Sequence, residues 1–203
     1  MEIGRAVSFI FQDPRWVVKV LICGVLFFIP IIGWLLIGGY MLRLIHNVII
    51  GSATPLPEWD NWGGDLAGGL KAFVVYFLWG IPLWIVQGID RSVDSALFAF
   101  IAWVISVLWS AVNISAISDL AREGNIADAL NLRPLMRVVN NLGVYLVYVI
   151  AAFIFTLLAM VGLIGLVVGV VFTLAIAFMA TSHLGAQAYR QAEGQGAVPA
   201  PRF

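Results

Sequence analysis

The eleven lysines and arginines of this 203-residue chain are spaced among long apolar runs, and where they fall constrains the fold more than any motif does. Several of those runs approach or exceed the ~20 residues that cross a ~30 Å hydrocarbon layer, so the chain reads as one polytopic membrane domain. Its composition agrees: 62% of residues are hydrophobic and 11% charged, with a mean hydropathy of +1.01. Soluble domains carry about a quarter charged residues. Membrane proteins concentrate Lys and Arg on the cytoplasmic side. Ten of the eleven can share one side only if the stretch from Trp16 to Ile50 enters the membrane and returns. Arg5, Arg15, Lys19, Arg43, Lys71, Arg122, Arg133, Arg137, Arg190 and Arg202 are then inside, and Arg91 alone is outside.

A straight helix from Val20 to Leu42 would measure about 34 Å, span once and split that bias. A helical hairpin turning at Pro30 to Gly33 is therefore expected. Its arms, residues 14–29 and 34–50, measure only about 24 to 26 Å, so either Lys19 and Arg43 snorkel or the pair is re-entrant.

Net charge is zero and the basic residues are scattered, which excludes a nucleic-acid binder. Cys23, the single cysteine, cannot form an internal disulfide and is expected to be a small buried hydrophobe. No small residue precedes it for lipoprotein processing, and no small-residue cleavage site follows the first apolar run, which is expected to be retained.

Along the chain, Ile3, Val7, Ile10 and Phe11 have the spacing of a short helix lying on the membrane surface. Asp13 can cap the next helix with Pro14 in its first turn. After a polar loop, residues 52–65, apolar helices are expected over about 66–87 and 95–118. The second carries Ser95, Ala99, Ala102, Ser106, Ser110 and Asn113 as a small, weakly polar face expected to meet another helix. Residues 119–142 read as two short amphipathic turns, the first ended by Gly124 and the second capped by Asn131. Leu132, Leu135, Met136 and Val139 oppose Arg133, Arg137 and Asn140 there, as in an interfacial elbow. Two more spans follow over 144–189, joined near Gly162 to Gly165, and Gly165, Gly169, Thr173, Ala177, Thr181 and Gly185 recur every fourth residue on the last. The expectation is an all-α bundle of about six membrane-embedded helices, the first two a short hairpin. One domain covers residues 1–192, and a loose tail covers 193–203.

Three segments read as familiar: Phe11-Gln-Asp-Pro-Arg-Trp16-Val-Val-Lys19, Gly39-Tyr40-Met-Leu-Arg43, and Leu56-Pro-Glu58-Trp59-Asp60-Asn-Trp62-Gly63 with Gly69-Leu70-Lys71. With His183-Leu-Gly-Ala-Gln-Ala-Tyr189-Arg190, they resemble the prokaryotic membrane proteins catalogued as domain of unknown function 4013. The resemblance runs over nearly the whole chain. It implies a stand-alone multi-helix membrane domain, and it supplies no catalytic residues to carry over.

Two polar groupings are candidate sites. Glu58, Asp60 and Asp65 lie in a loop stiffened by Pro55 and Pro57 and flanked by Trp59 and Trp62. They could ligate a hard cation; the plainer reading is an interfacial cap in which they pair with Arg43 or Lys71. Arg43, His46 and Asn47 share one helix face in apolar surroundings and could line a polar cavity or neutralise a lipid headgroup. The plainer reading is a helix end emerging into the interface with Arg43 snorkelling. His183 lacks a second ligand nearby, and Gln87 and Asn113 are expected to hydrogen-bond between helices. No nucleophile elbow, zinc-protease motif, phosphate-binding glycine loop or cysteine pair appears, so no catalysis, metal or cofactor is expected. The role expected is a non-enzymatic scaffold or accessory subunit in the cell membrane with both termini cytoplasmic. Its partners would be membrane lipids and either a protein complex or further copies of itself. The alternative is a channel-like or lipid-handling protein using the Arg43, His46 and Asn47 face.

Overall fold

Phe28-Ile-Pro-Ile31 is a weak point for a helix, because Pro30 supplies no N–H and restricts the residue before it. In the computed structural model, which describes residues 2, 4–90, 95–161 and 166–194, the chain turns there. Ile31 adopts φ 65° and ψ −73°, and the Ile32 amide donates to the Pro30 carbonyl at 2.8 Å, a γ-turn. Helices α2 (Trp16–Phe27) and α3 (Ile32–Ile49) flank it. They run antiparallel: Gly33 packs on the Leu26 backbone near the turn. At the other end one side chain, Trp59, donates to the Lys19 carbonyl and stacks on Tyr40 with ring centroids 4.0 Å apart. A straight helix would separate residues 19 and 40 by about 31 Å.

The first expected arm proves longer than the helix formed, whereas α3, at 18 residues, matches the second. Asp13 does turn the chain, its carboxylate accepting the Arg15 amide at 2.8 Å, but α2 begins at Trp16 and its 12 residues rise only about 18 Å. Helix α4 (Trp62–Asp90) follows, then α5 (Ala96–Glu123), with Ser95 capping the Phe98 amide. Two short helices, α6 (Ile126–Leu130) and α7 (Arg133–Asn140), lead to α8 (Leu142–Val161) and α9 (Leu166–Ala192). All regular structure among the described residues is helical, and α3, α4, α5 and α8 are long and apolar enough to cross a membrane.

Helix α3 is the hub, packed against α2, α4, α5 and α9, and Tyr40, Leu44, Ile45 and Val48 on it are fully buried. Its contact with α4 is the most extensive in the molecule because the backbones nearly touch. A Cβ on Gly39 would overlap the Asp65 carbonyl, and one on Gly69 would overlap that of Leu35. Helix α9 packs on α8 and, through Gly185, against Ile114 of α5.

The N-terminal segment differs from the expected surface helix. Helix α1 (Arg5–Phe11) buries Ala6, Phe9 and Ile10, and the Phe9 ring stacks on His183 of α9 at 4.3 Å. Phe11, assigned to the apolar face, is exposed, because the dominant contact is a neighbouring helix. Gly124 does not end a separate amphipathic turn. It closes α5 itself in the left-handed conformation, φ 71°, after the helix has run on to Glu123. Asn131 caps as expected, accepting the Arg133 amide at 2.7 Å. The Gly162 to Gly165 connection, Arg91, Arg202 and residues 195–203 of the expected tail lie outside the described residues. Glu193, placed at the start of that tail, is anchored instead by Arg122 and Arg137.

The hairpin reaches about half-way along the bundle. Its turn-proximal residues Phe27 and Trp34 share a groove with Phe73 and Tyr76 of α4 and Phe178 of α9, near the midpoint of both long helices. From there α4 continues about 21 Å and α9 about 18 Å towards the opposite end of the bundle.

Candidate functional site

The starts of α2 and α4 and the ends of α3, α5 and α9 meet at one end of the bundle, and the ionisable groups of two clusters gather there. The first is built on the Gly39–Asp65 contact. It holds Asp65, only 1% exposed, opposite Arg43 one turn further along α3. The guanidinium grips Asp65 with two bonds of 2.7 Å, from Nε to Oδ1 and from the second terminal nitrogen to Oδ2. That second nitrogen also donates to the Glu58 carbonyl at 2.7 Å, and the first terminal nitrogen donates to Asp60 at 3.0 Å. Fork-to-fork pairing of this kind is the strongest geometry open to a guanidinium and carboxylate.

The loop between α3 and α4 is pinned along its length. Glu58 pairs with Arg15 at 2.9 Å and with Lys19 at 2.7 Å, and the nearly buried Lys19 also holds Asp13 and the Leu56 carbonyl. The Tyr40 hydroxyl donates to the Pro57 carbonyl at 2.9 Å, and Asn47 donates to that of Pro55 at 3.0 Å. Trp59 is stacked between Tyr40 and Trp62. His46 Nδ1 lies 2.8 Å from the Ala121 carbonyl, which can only accept, so that nitrogen carries the proton. Lys71 donates to the Gly124 carbonyl at 2.9 Å and does not join the acidic loop.

Arg43, His46, Asn47, Glu58, Asp60 and Lys71 line a cleft of about 470 Å³ between α3, α4, the loop and the end of α5. Arg43, His46, Asn47, Glu58 and Asp60 are thus brought into one site, with Arg43 occupying the centre where a cation would have to sit among the acids. Among the described residues no three of His, Cys, Asp and Glu converge as metal ligands.

The second cluster joins α5, α7 and α9. Arg137 donates to both Asp119 oxygens at 2.9 Å, to the Ser115 hydroxyl at 2.9 Å and to Glu193 at 2.6 Å, and lies over the Tyr189 ring. The Tyr189 hydroxyl donates to Asp119 at 2.8 Å. Burial works against the charged guanidinium of Arg137, but its bonds to Asp119 and Glu193 outweigh this and raise its pKa above the ordinary arginine value. A polar cleft of about 520 Å³ opens beside the cluster, edged by Arg122, Asp128 and Arg133.

The residues expected to form packing stripes make mostly local hydrogen bonds. Ser106 donates to the Ala102 carbonyl, Ser110 to Val107 and Asn113 to Trp109, all within α5, and Ser110 is exposed. Asn113 is therefore an intrahelical group, and Gln87 is exposed. On α9, Thr173 reaches across to the Ala159 carbonyl at 3.0 Å and also approaches that of Gly169. Gly169 is half-buried, and Gly165 lies outside the described residues. The tightest helix contact uses Gly38 and Gly39 against Gly68 and Gly69. Those adjacent glycine pairs were its visible but unused signal. The Asp119–Arg137–Tyr189 cluster had none, since its members come from three distant segments.

The architecture defines an all-helical protein with, among the described residues, four helices long and apolar enough to span a membrane and one charged, internally paired end. A family model described as Protein of unknown function (DUF4013) matches residues 22–181, and the chain belongs to that family. The match takes in Gly39 to Lys71, whereas Phe11 to Lys19 and His183 to Arg190 fall outside it. No curated protein and no solved structure matches the chain.

Proposed function

We propose that the chain is a multi-pass protein of the cell membrane that performs no chemistry of its own and serves as a small scaffold or accessory subunit. Its partner would be a protein complex or further copies of itself. One observation carries the reading: every donor-bearing nitrogen of the Arg43 guanidinium is committed to the chain's own carboxylates and a loop carbonyl. A residue spent on clamping a loop is poorly placed to receive an ion or a lipid phosphate. The alternative reading, a channel-like or lipid-handling Arg43, His46 and Asn47 face, loses support for that reason. What the clamp achieves is a rigid, charged end held on a set of apolar helices.

In this reading α4, α5 and α8 cross the membrane and α9, 27 residues long, crosses with them, whereas α3, although long enough to cross, does not. The α2–α3 pair is re-entrant, entering from the charged end and turning back near the midplane. The turn itself favours this: Phe28, Ile29, Ile31, Ile32 and Trp34 are all exposed, a composition suited to hydrocarbon and not to a water-facing loop. The Trp34 indole donates to the Phe27 carbonyl at 3.0 Å, satisfying a helix-end acceptor that lipid could not. The positive-inside bias then puts the charged end, with both termini, in the cytoplasm. The test of the accessory role is purification in mild detergent followed by native mass determination. A second protein in fixed ratio, or a defined homo-oligomer, is the expected result. A bare monomer from every detergent tried would remove the scaffold reading.

A further inference from the structure

Almost every charge of the chain is answered by another part of it. Among the residues whose side chains the structure describes, Arg133 is the one basic group, and Asp128 the one acidic group, whose side chain has no hydrogen bond or ion pair. Both line the polar cleft of about 520 Å³ at the charged end, Asp128 from α6 and Arg133 from the start of α7. The other carboxylates of that cleft, Asp119, Glu123 and Glu193, are held by Arg122 and Arg137. Helix α7 divides this cleft from an apolar groove. Its Arg133, Arg137 and Asn140 line the cleft, whereas its Leu135, Val138 and Val139 line a groove of about 230 Å³ walled by residues 105–112 of α5 and 142–149 of α8. Residues 112 and 105 lie about 10 and 21 Å along α5 from Asp119, so the groove runs from the charged end into the near half of a ~30 Å hydrocarbon core. Of its two polar side chains, Trp109 donates to the Trp79 carbonyl at 2.8 Å and Tyr145 is 1% exposed, which leaves an apolar surface to whatever enters. Between groove and cleft the edge of α7 is Leu132, Met136 and Val139, spaced as one helix face and each at least 60% exposed.

We infer that α7 holds a phosphatidylethanolamine lipid from the leaflet at the charged end. An acyl chain lies in the groove, the glycerol backbone crosses the edge formed by Leu132, Met136 and Val139, and the headgroup enters the cleft. The two unanswered charges select that headgroup: its phosphate accepts from the Arg133 guanidinium and its ammonium donates to the Asp128 carboxylate, both charge-assisted bonds. A phosphatidylglycerol headgroup answers Arg133 but brings no cation to Asp128, and a quaternary choline has no N–H to donate. A partner helix crossing the membrane needs about 30 Å of clear length, and α7 closes the groove at the charged end. This inference rests on α5 and α8 crossing the membrane as proposed above, and on neither the scaffold role nor the re-entrant hairpin.

The experiment reconstitutes the full chain in nanodiscs of equal parts phosphatidylethanolamine and phosphatidylglycerol, then ejects it for native mass measurement of the retained lipid. Wild type is expected to keep one phosphatidylethanolamine per chain. Asp128→Asn, which preserves shape, is expected to erase the preference over phosphatidylglycerol, and Arg133→Gln is expected to cut retention of either lipid by roughly tenfold. Leu146→Trp, which fills the groove from an exposed wall position, is expected to cut retention as Arg133→Gln does, while Leu97→Ala, at the far end of α5, leaves it unchanged. Equal retention of the two lipids by wild type, or retention indifferent to Asp128→Asn and Arg133→Gln, would overturn the site while leaving the membrane topology standing. Sensitivity to those two variants without sensitivity to Leu146→Trp would mean that the cleft takes a soluble zwitterion, and would overturn the lipid. A wild type that cannot be recovered in nanodiscs at all would remove the topology and the site together.

Discussion

Replacing Asp65 by Asn changes almost no volume and removes one charge, and it should be among the most damaging single substitutions in the chain. Asp65 is 1% exposed and receives two 2.7 Å bonds from Arg43, whose side chain is 29% exposed. Removing one partner of a buried pair costs about 3 to 5 kcal/mol, because the survivor stays desolvated without compensation. Arg43 keeps Asp60 and the Glu58 carbonyl and sees some water, which lowers the expected loss to about 2 to 4 kcal/mol. At ~2 to 4 °C per kcal/mol for a chain of this size, the apparent unfolding midpoint in detergent should fall by roughly 5 to 15 °C. The double variant Arg43→Met with Asp65→Leu should recover most of that loss, since an apolar pair avoids the desolvation penalty. If Asp65→Asn leaves the midpoint unchanged while Arg43→Met abolishes binding of anionic lipid, Arg43 is a ligand-binding residue and the clamp account is wrong.

Other outcomes follow from local geometry. Gly39→Ala and Gly69→Ala place a methyl group inside a facing backbone carbonyl and should prevent α3 and α4 from closing, whereas Gly63→Ala, in open space, should be nearly neutral; expression and midpoint in the three variants decide this. Ile31→Gly should raise the midpoint by the equivalent of about 1 kcal/mol, because a β-branched residue at φ 65° is strained and glycine is not. An unchanged or lower midpoint would mean that the γ-turn stores no strain at Ile31.

Much of the fold was legible because a membrane chain has few ways to satisfy its own backbone. Apolar runs of sufficient length must be helices, and the sorting of basic residues required the chain to turn back between Trp16 and Ile50. The depth of the turn was not legible, since it depends on where α3 packs along α4, and that is set by glycine pairs whose mates lie thirty residues away. The hydrogen bonding of the serine face of α5 was not legible for a related reason. Spacing shows that Ser106, Ser110 and Asn113 share a face, but their side chains found partners one turn back on the same helix, as Ser and Asn side chains can do. At the site, the pairing of Arg43 with Asp60 and Asp65 could be anticipated from charge alone. The contributions of Asp13, Arg15 and Lys19 to the same cluster could not, because they arrive only when α2 folds back beside α3.

The most direct test of the account is side-specific labelling of single cysteines by an impermeant reagent, in a Cys23→Ala background, at Arg15, Ile31 and Gly88. Gly33, which packs on the Leu26 backbone, cannot accept a side chain and is unsuitable as the probe of the turn. The account predicts that position 15 reacts only from the cytoplasmic face, position 88 only from the opposite face, and position 31 from neither until the membrane is dissolved. Labelling at position 31 from the face opposite the charged end would mean that the hairpin crosses the bilayer, and the re-entrant topology would have to be abandoned.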